Sequence, residues 1–84
     1  MKNKVLVQIN VPELNESYNV YLPINRKIGN VINLLSKSIF ELTNGMFQND
    51  GKRLLYSERT GEKYPINSLI RETDIRNGST IIFM

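Results

Sequence analysis

Ile28, Val31, Ile32, Leu35, Ile39 and Leu42 recur at steps of three and four, so a helix over Ile28–Leu42 carries them as one apolar stripe. Gly29, Asn30, Asn33, Ser36 and Lys37 fall on the opposite, polar side. Thr43-Asn44-Gly45 closes the segment, as Asn or Gly just past the last periodic position stops a helix. Asn25 is the expected N-cap. Arg26 and Lys27 then stand in the first turn, against the helix dipole, which marks either a solvated pair or an acidic or phosphate contact.

The remaining apolar segments are too short for helices and step by two. In Lys4–Val11, Val5, Val7, Ile9 and Val11 share one side, with Leu6 an apolar exception on the polar side. After the turn Pro12–Glu16, the segment Ser17–Pro23 alternates again, with Tyr18, Val20 and Leu22 inward. The two form a hairpin. Met46–Gly51 is a loop that lays Met46 and Phe47 over the core. Lys52–Ser57 is a third strand, and Lys63–Ile66 a short fourth whose Pro65 suits a sheet edge. Ser68-Leu69-Ile70 is a short helical turn, and Asp74–Gly78 turns the chain into a last strand, Ser79–Met84.

Composition narrows the function more than the fold. The 84 residues give one domain, 1–84, with a small core. Cys and His are both absent, so there is no disulfide, no thiolate nucleophile and no Cys- or His-ligated metal. No cofactor, metal site or catalytic residue is expected. The net charge of +3 is scattered, with Arg26-Lys27 and Lys52-Arg53 the basic pairs, and this is not the clustered face of a nucleic-acid binder. Gly45 and Gly51-Lys52 fail as a phosphate loop: five residues separate the glycines, and Arg53 stands where Ser or Thr is required. Asn15-Glu16-Ser17 and Asn77-Gly78-Ser79 match the glycosylation pattern but read as turns. No apolar run is long enough to span a membrane, and Met1-Lys2-Asn3-Lys4 leads into a strand, not a signal peptide, so the expected location is the cytoplasm.

The order strand, strand, helix, strand, short strand, strand resembles ubiquitin. Arg53-Leu54-Leu55-Tyr56 resembles its third strand, Ile28-Gly29-Asn30-Val31 the start of its helix, Leu69 its short helical turn, and Ile75 through Thr80-Ile81-Ile82-Phe83 its closing turn and strand. The resemblance implies an α+β, ubiquitin-like β-grasp fold: a mixed five-stranded sheet, order 2-1-5-3-4, with one helix across one face. The core it implies is Val5, Val7, Val20, Leu22, Ile28, Val31, Leu35, Leu54, Leu69, Ile75, Ile81 and Phe83.

Conjugating and sulfur-carrying relatives act through a tail ending in Gly-Gly. This chain stops at Met84 within its last strand, so neither a protein modifier nor a sulfur carrier is expected. A small ubiquitin-like chain of this kind is similar to the YukD/EsaB family of bacterial type VII secretion systems. That resemblance implies a non-catalytic accessory protein whose partner is the cytosolic part of a membrane secretion component. The tail-less ubiquitin-like subunit of multicomponent monooxygenases is similar in size and is the alternative.

A sheet covered by a helix on one face should be polar on the other. Here Leu6, Tyr21, Leu55, Ile82 and Met84 are expected on that open face, as one apolar patch for a protein partner or a second copy of the chain. Leu34 and Phe40 flank the helical stripe, with Phe40 expected to meet Met46 or Phe47.

Overall fold

The computed structural model describes residues 2–48 and 50–84, so Met1, and Asn49 of the expected loop, lie outside the described residues. Strand β1 spans Lys4–Val11 and β2 Glu16–Pro23. The helix α1 spans Ile28–Leu42, and β3 (Leu55–Ser57) and β4 (Thr80–Phe83) follow. A 3-10 turn at Pro12–Leu14 and Asn15, whose φ is 53°, reverse the chain between β1 and β2.

The sheet is mixed. β1 pairs antiparallel with β2 and parallel with β4, and β3 is antiparallel to β4, giving the order β2-β1-β4-β3. It has four strands, not the expected five. Lys63–Ile66 makes a single bridge, Tyr56 to Lys63, framed by backbone bonds from Ser57 to Glu62 and from Tyr64 to Leu55, each 2.8 Å. Pro65 has no N–H to continue a ladder, and its carbonyl instead accepts from Ser68 and turns the chain away.

The helix begins where expected, but its cap differs. The N-cap is Lys27, not Asn25, and no side chain caps it. A crossing segment satisfies the first N–H groups: Ile28 donates to Ser68 O at 2.8 Å and Gly29 to Ile66 O at 2.9 Å. A β-carbon on Gly29 would stand 3.3 Å from that same Ile66 oxygen, so the crossing segment packs closely on the bare position. At the other end Asn44 and Gly45 adopt positive φ, and Gly45 donates to Phe40 O at 2.8 Å. Ser36 is buried, not on the polar side: its hydroxyl donates to Ile32 O at 2.9 Å, which removes the cost of enclosing it. Leu42 ends the stripe exposed.

The core lies between α1 and the sheet. Val7, Leu22, Ile28, Val31, Leu35, Ile75, Ile81 and Phe83 are buried as expected. Val5, Val20, Leu54 and Leu69 are only half-buried at its margin. Ile9, Val11, Ile32, Ile39, Phe47, Leu55 and Ile70 complete the core instead. Fully enclosing a side chain of this size contributes about 1.5–3 kcal/mol. In two places, Leu55 for Leu54 and Ile70 for Leu69, the buried residue is one position later than expected.

Candidate protein-interaction surface

The face of the sheet away from α1 takes every second residue of each strand. β1 presents Lys4, Leu6, Gln8 and Asn10, β2 presents Ser17, Asn19 and Tyr21, and β4 presents Thr80 and Ile82. Tyr21 stands directly opposite Leu6, and Ile82 lies beside both Asn10 and Tyr56. Leu54 and Met84 exchange backbone hydrogen bonds at 2.9 and 3.2 Å, extending the β3–β4 ladder past its named ends.

Four of the five expected residues are therefore outward. Leu6 is 40% exposed, Tyr21 53% and Met84 52%, with Ile82 half-buried between its neighbours. Leu55 is the correction: it is 0% exposed and belongs to the core. Leu54, Leu55 and Tyr56 are three apolar residues in a row, so alternation alone does not fix their phase. Pairing fixes it. Leu55 lies opposite Phe83, already inward, which turns Tyr56 out. Leu54, expected in the core, and Tyr56, to which the sequence pattern assigns no face, turn outward, and the phase of β4 is the signal that finds them.

The patch is also not continuous. Leu6 lies level with Gly78, whose N–H donates to the Leu6 carbonyl at 2.8 Å. Ile82 lies level with Asn10. At about 3.3 Å per residue this separates Leu6 from Ile82 by about 13 Å along the strands. Polar groups fill the interval: the Gln8 amide and the Ser17 hydroxyl both donate to Asn10 Oδ1, at 2.9 and 2.8 Å. The open face thus carries a Leu6/Tyr21 pair at one end and a Leu54/Tyr56/Ile82/Met84 cluster at the other.

The polar clusters elsewhere hold loops. Asp74 accepts from Arg59 at 2.7 Å and from the Tyr64 hydroxyl at 2.8 Å, and both bonds hold its carboxyl below the usual aspartate range. Burial, then the bond to Asp74, raises the Tyr64 phenol. The Lys52 N–H lowers the Asp50 carboxyl in the same way. The Arg53 guanidinium joins Glu13 at 2.8 Å and Asp50 at 3.3 Å. Among the described residues, no three His, Cys, Asp or Glu side chains group to hold a metal ion. No described helix is long and apolar enough to cross a membrane. Phe40 is exposed, with its ring beside Gly45 at the end of the helix.

No family model and no curated protein matches the chain. Solved structures do, through the fold. A chain of the toluene 4-monooxygenase HD complex is similar with a TM-score of 0.78 at 14% identity, over 95% of each chain. The ubiquitin-like domain of the Mycobacterium tuberculosis type VII secretion system protein ECCD1 gives 0.75 at 11% identity, over 95% of this chain and 96% of that one. A chain of an ESX-5 inner membrane complex gives 0.72 at 16% identity, and there this chain spans 98% of itself but only 21% of its counterpart. The fold is that of ubiquitin-like domains, with one helix and a four-stranded mixed sheet.

Proposed function

We propose that this protein is a non-catalytic, ubiquitin-like adaptor of a type VII secretion system, acting in the cytoplasm and docking on a secretion-machinery component through the open face of its sheet. The observation that carries the reading is the Leu54/Tyr56/Ile82/Met84 cluster, a run of apolar side chains on a face that water would otherwise favour as polar. Leu6 and Tyr21 extend the contact at the far end, and the amides between them supply hydrogen bonds at a polar centre. The likeness to the ubiquitin-like domain of the type VII protein ECCD1, and to a chain of the ESX-5 inner membrane complex, supports the choice of machinery.

The test is affinity purification of the tagged chain from detergent-solubilised cells, with a Tyr56→Ser/Ile82→Asp variant as control. The reading expects secretion-system membrane proteins with the parent and their loss with the variant. Equal recovery by both removes the sheet face from the proposal. One alternative has its own support, the monooxygenase chain matched over nearly its whole length. It expects co-purification of large oxygenase subunits in place of membrane proteins.

A further inference from the structure

Cations that are scattered along the sequence meet at one end of the fold. In residues 2–10 and 17–40, Lys2, Lys4, Arg26, Lys27 and Lys37 stand with no Asp or Glu among them. Backbone contacts draw these segments together. Lys4 lies opposite Pro23 in the β1–β2 ladder, and the Ile24 N–H donates to Asn3 O at 3.0 Å. Lys4, Arg26 and Lys37 then line a groove of about 540 Å³ between the end of β2 and α1, and no carboxylate lines it. None of the three forms an ion pair among the described residues, whose pairs belong to Arg53 and Arg59. Glu72, on the 3-10 turn whose Ile70 N–H donates to Arg26 O, is committed to the Leu69 N–H at 2.7 Å. Glu16 pairs with Val11 at the far end of the hairpin, about 23 Å from Lys4 at about 3.3 Å per residue. Apolar groups share the basic end: Leu34 and Tyr21, each 53% exposed, stand in the groove wall.

We infer that this end of the molecule docks on the surface of an anionic lipid bilayer, with Lys4, Arg26 and Lys37 against the headgroup phosphates and Leu34 and Tyr21 at the headgroup boundary. Charge decides the sign of the partner. An acid-free cluster of unpaired cations draws a surface of opposite charge, at about fivefold in affinity for each cation near it. The neighbouring side chains decide its kind. Leu34 offers a nucleic-acid base neither a stacking plane nor a hydrogen bond, whereas an aliphatic side chain and a tyrosine ring beside cations suit the bilayer interface. The docking also gives Arg26, set against the helix dipole, a phosphate contact. It leaves the Leu54/Tyr56/Ile82/Met84 cluster free: Ile82 lies level with Asn10, and Lys4 is about 20 Å back along β1. The inference goes beyond the adaptor reading and does not depend on it.

The test is flotation of the full chain with vesicles of mixed phosphatidylglycerol and phosphatidylcholine, against vesicles of phosphatidylcholine alone. Binding of a single-stranded oligonucleotide is measured beside it. Binding to the anionic vesicles only, weakened by added salt, is expected. Arg26→Gln/Lys37→Gln should weaken it by at least about tenfold. Lys52→Gln/Lys63→Gln lowers the net charge equally but away from the groove, and should change binding by less than about threefold. Leu34→Ser should weaken it by about threefold or more and leave the salt dependence unchanged. All these side chains are exposed, so the variants keep the fold, which circular dichroism verifies. No flotation, equal binding to the neutral vesicles, tighter binding of the oligonucleotide, or equal losses in the two charge variants each overturns the inference. Tyr56→Ser/Ile82→Asp should float as the parent does, and its failure to float would move the lipid contact to the open sheet face and overturn the inference too.

Discussion

The Arg53 guanidinium carbon lies 3.8 Å from the centre of the Phe47 ring, and that ring meets Phe83 at a centroid separation of 5.8 Å. A mostly buried cation is thus stacked on the core's aromatic pair while its outer nitrogens reach Glu13 and Asp50. The stack joins the turn after β1, the loop before β3 and the end of β4. Phe47→Ala empties a fully enclosed site and should cost about 3–5 kcal/mol. Arg53→Lys keeps the charge but loses the planar face and the fork, and should cost about 1–2 kcal/mol. Urea denaturation of both variants checks the order, and a Lys variant as stable as the parent would show that the stack contributes nothing.

The phase of β3 yields a sharper contrast between neighbours. Leu55 is enclosed and Tyr56 faces outward beside Ile82. Leu55→Ala should cost about 2–5 kcal/mol, and Leu55→Asp should abolish cooperative unfolding, because it buries an unpaired charge. Tyr56→Ser should stay within about 1 kcal/mol of the parent. Thermal unfolding monitored by circular dichroism separates the two positions. The opposite ranking would mean that the strand is slipped by one residue.

The Arg59–Asp74–Tyr64 contact makes stability depend on pH at both ends. Asp74 is held below the ordinary aspartate range, first by the Arg59 bond and then by Tyr64. Its contribution is present above the unfolded value, about pH 4, and is lost as pH falls through the folded value. Tyr64 is raised, so its contribution is complete below about pH 10 and is lost as pH rises through its folded value. Asp74→Asn should therefore differ from the parent at neutral pH and converge with it in acid. Tyr64→Phe should flatten the alkaline limb. Solvent screens the exposed Arg59–Asp74 pair, so the acid effect should shrink in added salt. Urea midpoints across both limbs, at low and high salt, read these differences.

The helix and the hairpin were legible because each carries its signal locally: a stripe from Ile28 to Ile39, and alternation from Val5 to Val11 broken only at Leu6. The departures fall where long-range contacts decide. Asn25 loses the cap because Ser68 and Ile66, far along the chain, reach the helix N-terminus first. Leu54 and Leu55 are chemically alike, and only Phe83 opposite selects which is buried. The fourth strand shortens to one bridge because Pro65 and its carbonyl serve a turn. On the open face, Leu6, Tyr21, Ile82 and Met84 follow from alternation, but the gap between them depends on the parallel register of β1 and β4, which no local pattern encodes.

That parallel register has its own anchor, and it is testable. The Asn77 side-chain oxygen accepts the Leu6 N–H at 2.8 Å, and the next residue, Gly78, donates its N–H to the Leu6 carbonyl at 2.8 Å. One turn therefore holds both backbone groups of Leu6, and β4 enters alongside β1 from that point, with Thr80 level with Gln8. Gly78 holds φ at 87°, a conformation that a β-carbon strains, although nothing surrounds the site. Gly78→Ala should thus destabilise by about 1 kcal/mol or slightly more, through the backbone and not through a clash. Asn77→Ala should cost about 0.5–1.5 kcal/mol, since the released Leu6 N–H is near water. Asn77→Asp should restore the acceptor. Hydrogen exchange at the Leu6 amide distinguishes these cases. Protection should fall in Asn77→Ala and recover in Asn77→Asp, and an amide equally protected in all three would show that the register is held elsewhere in the ladder.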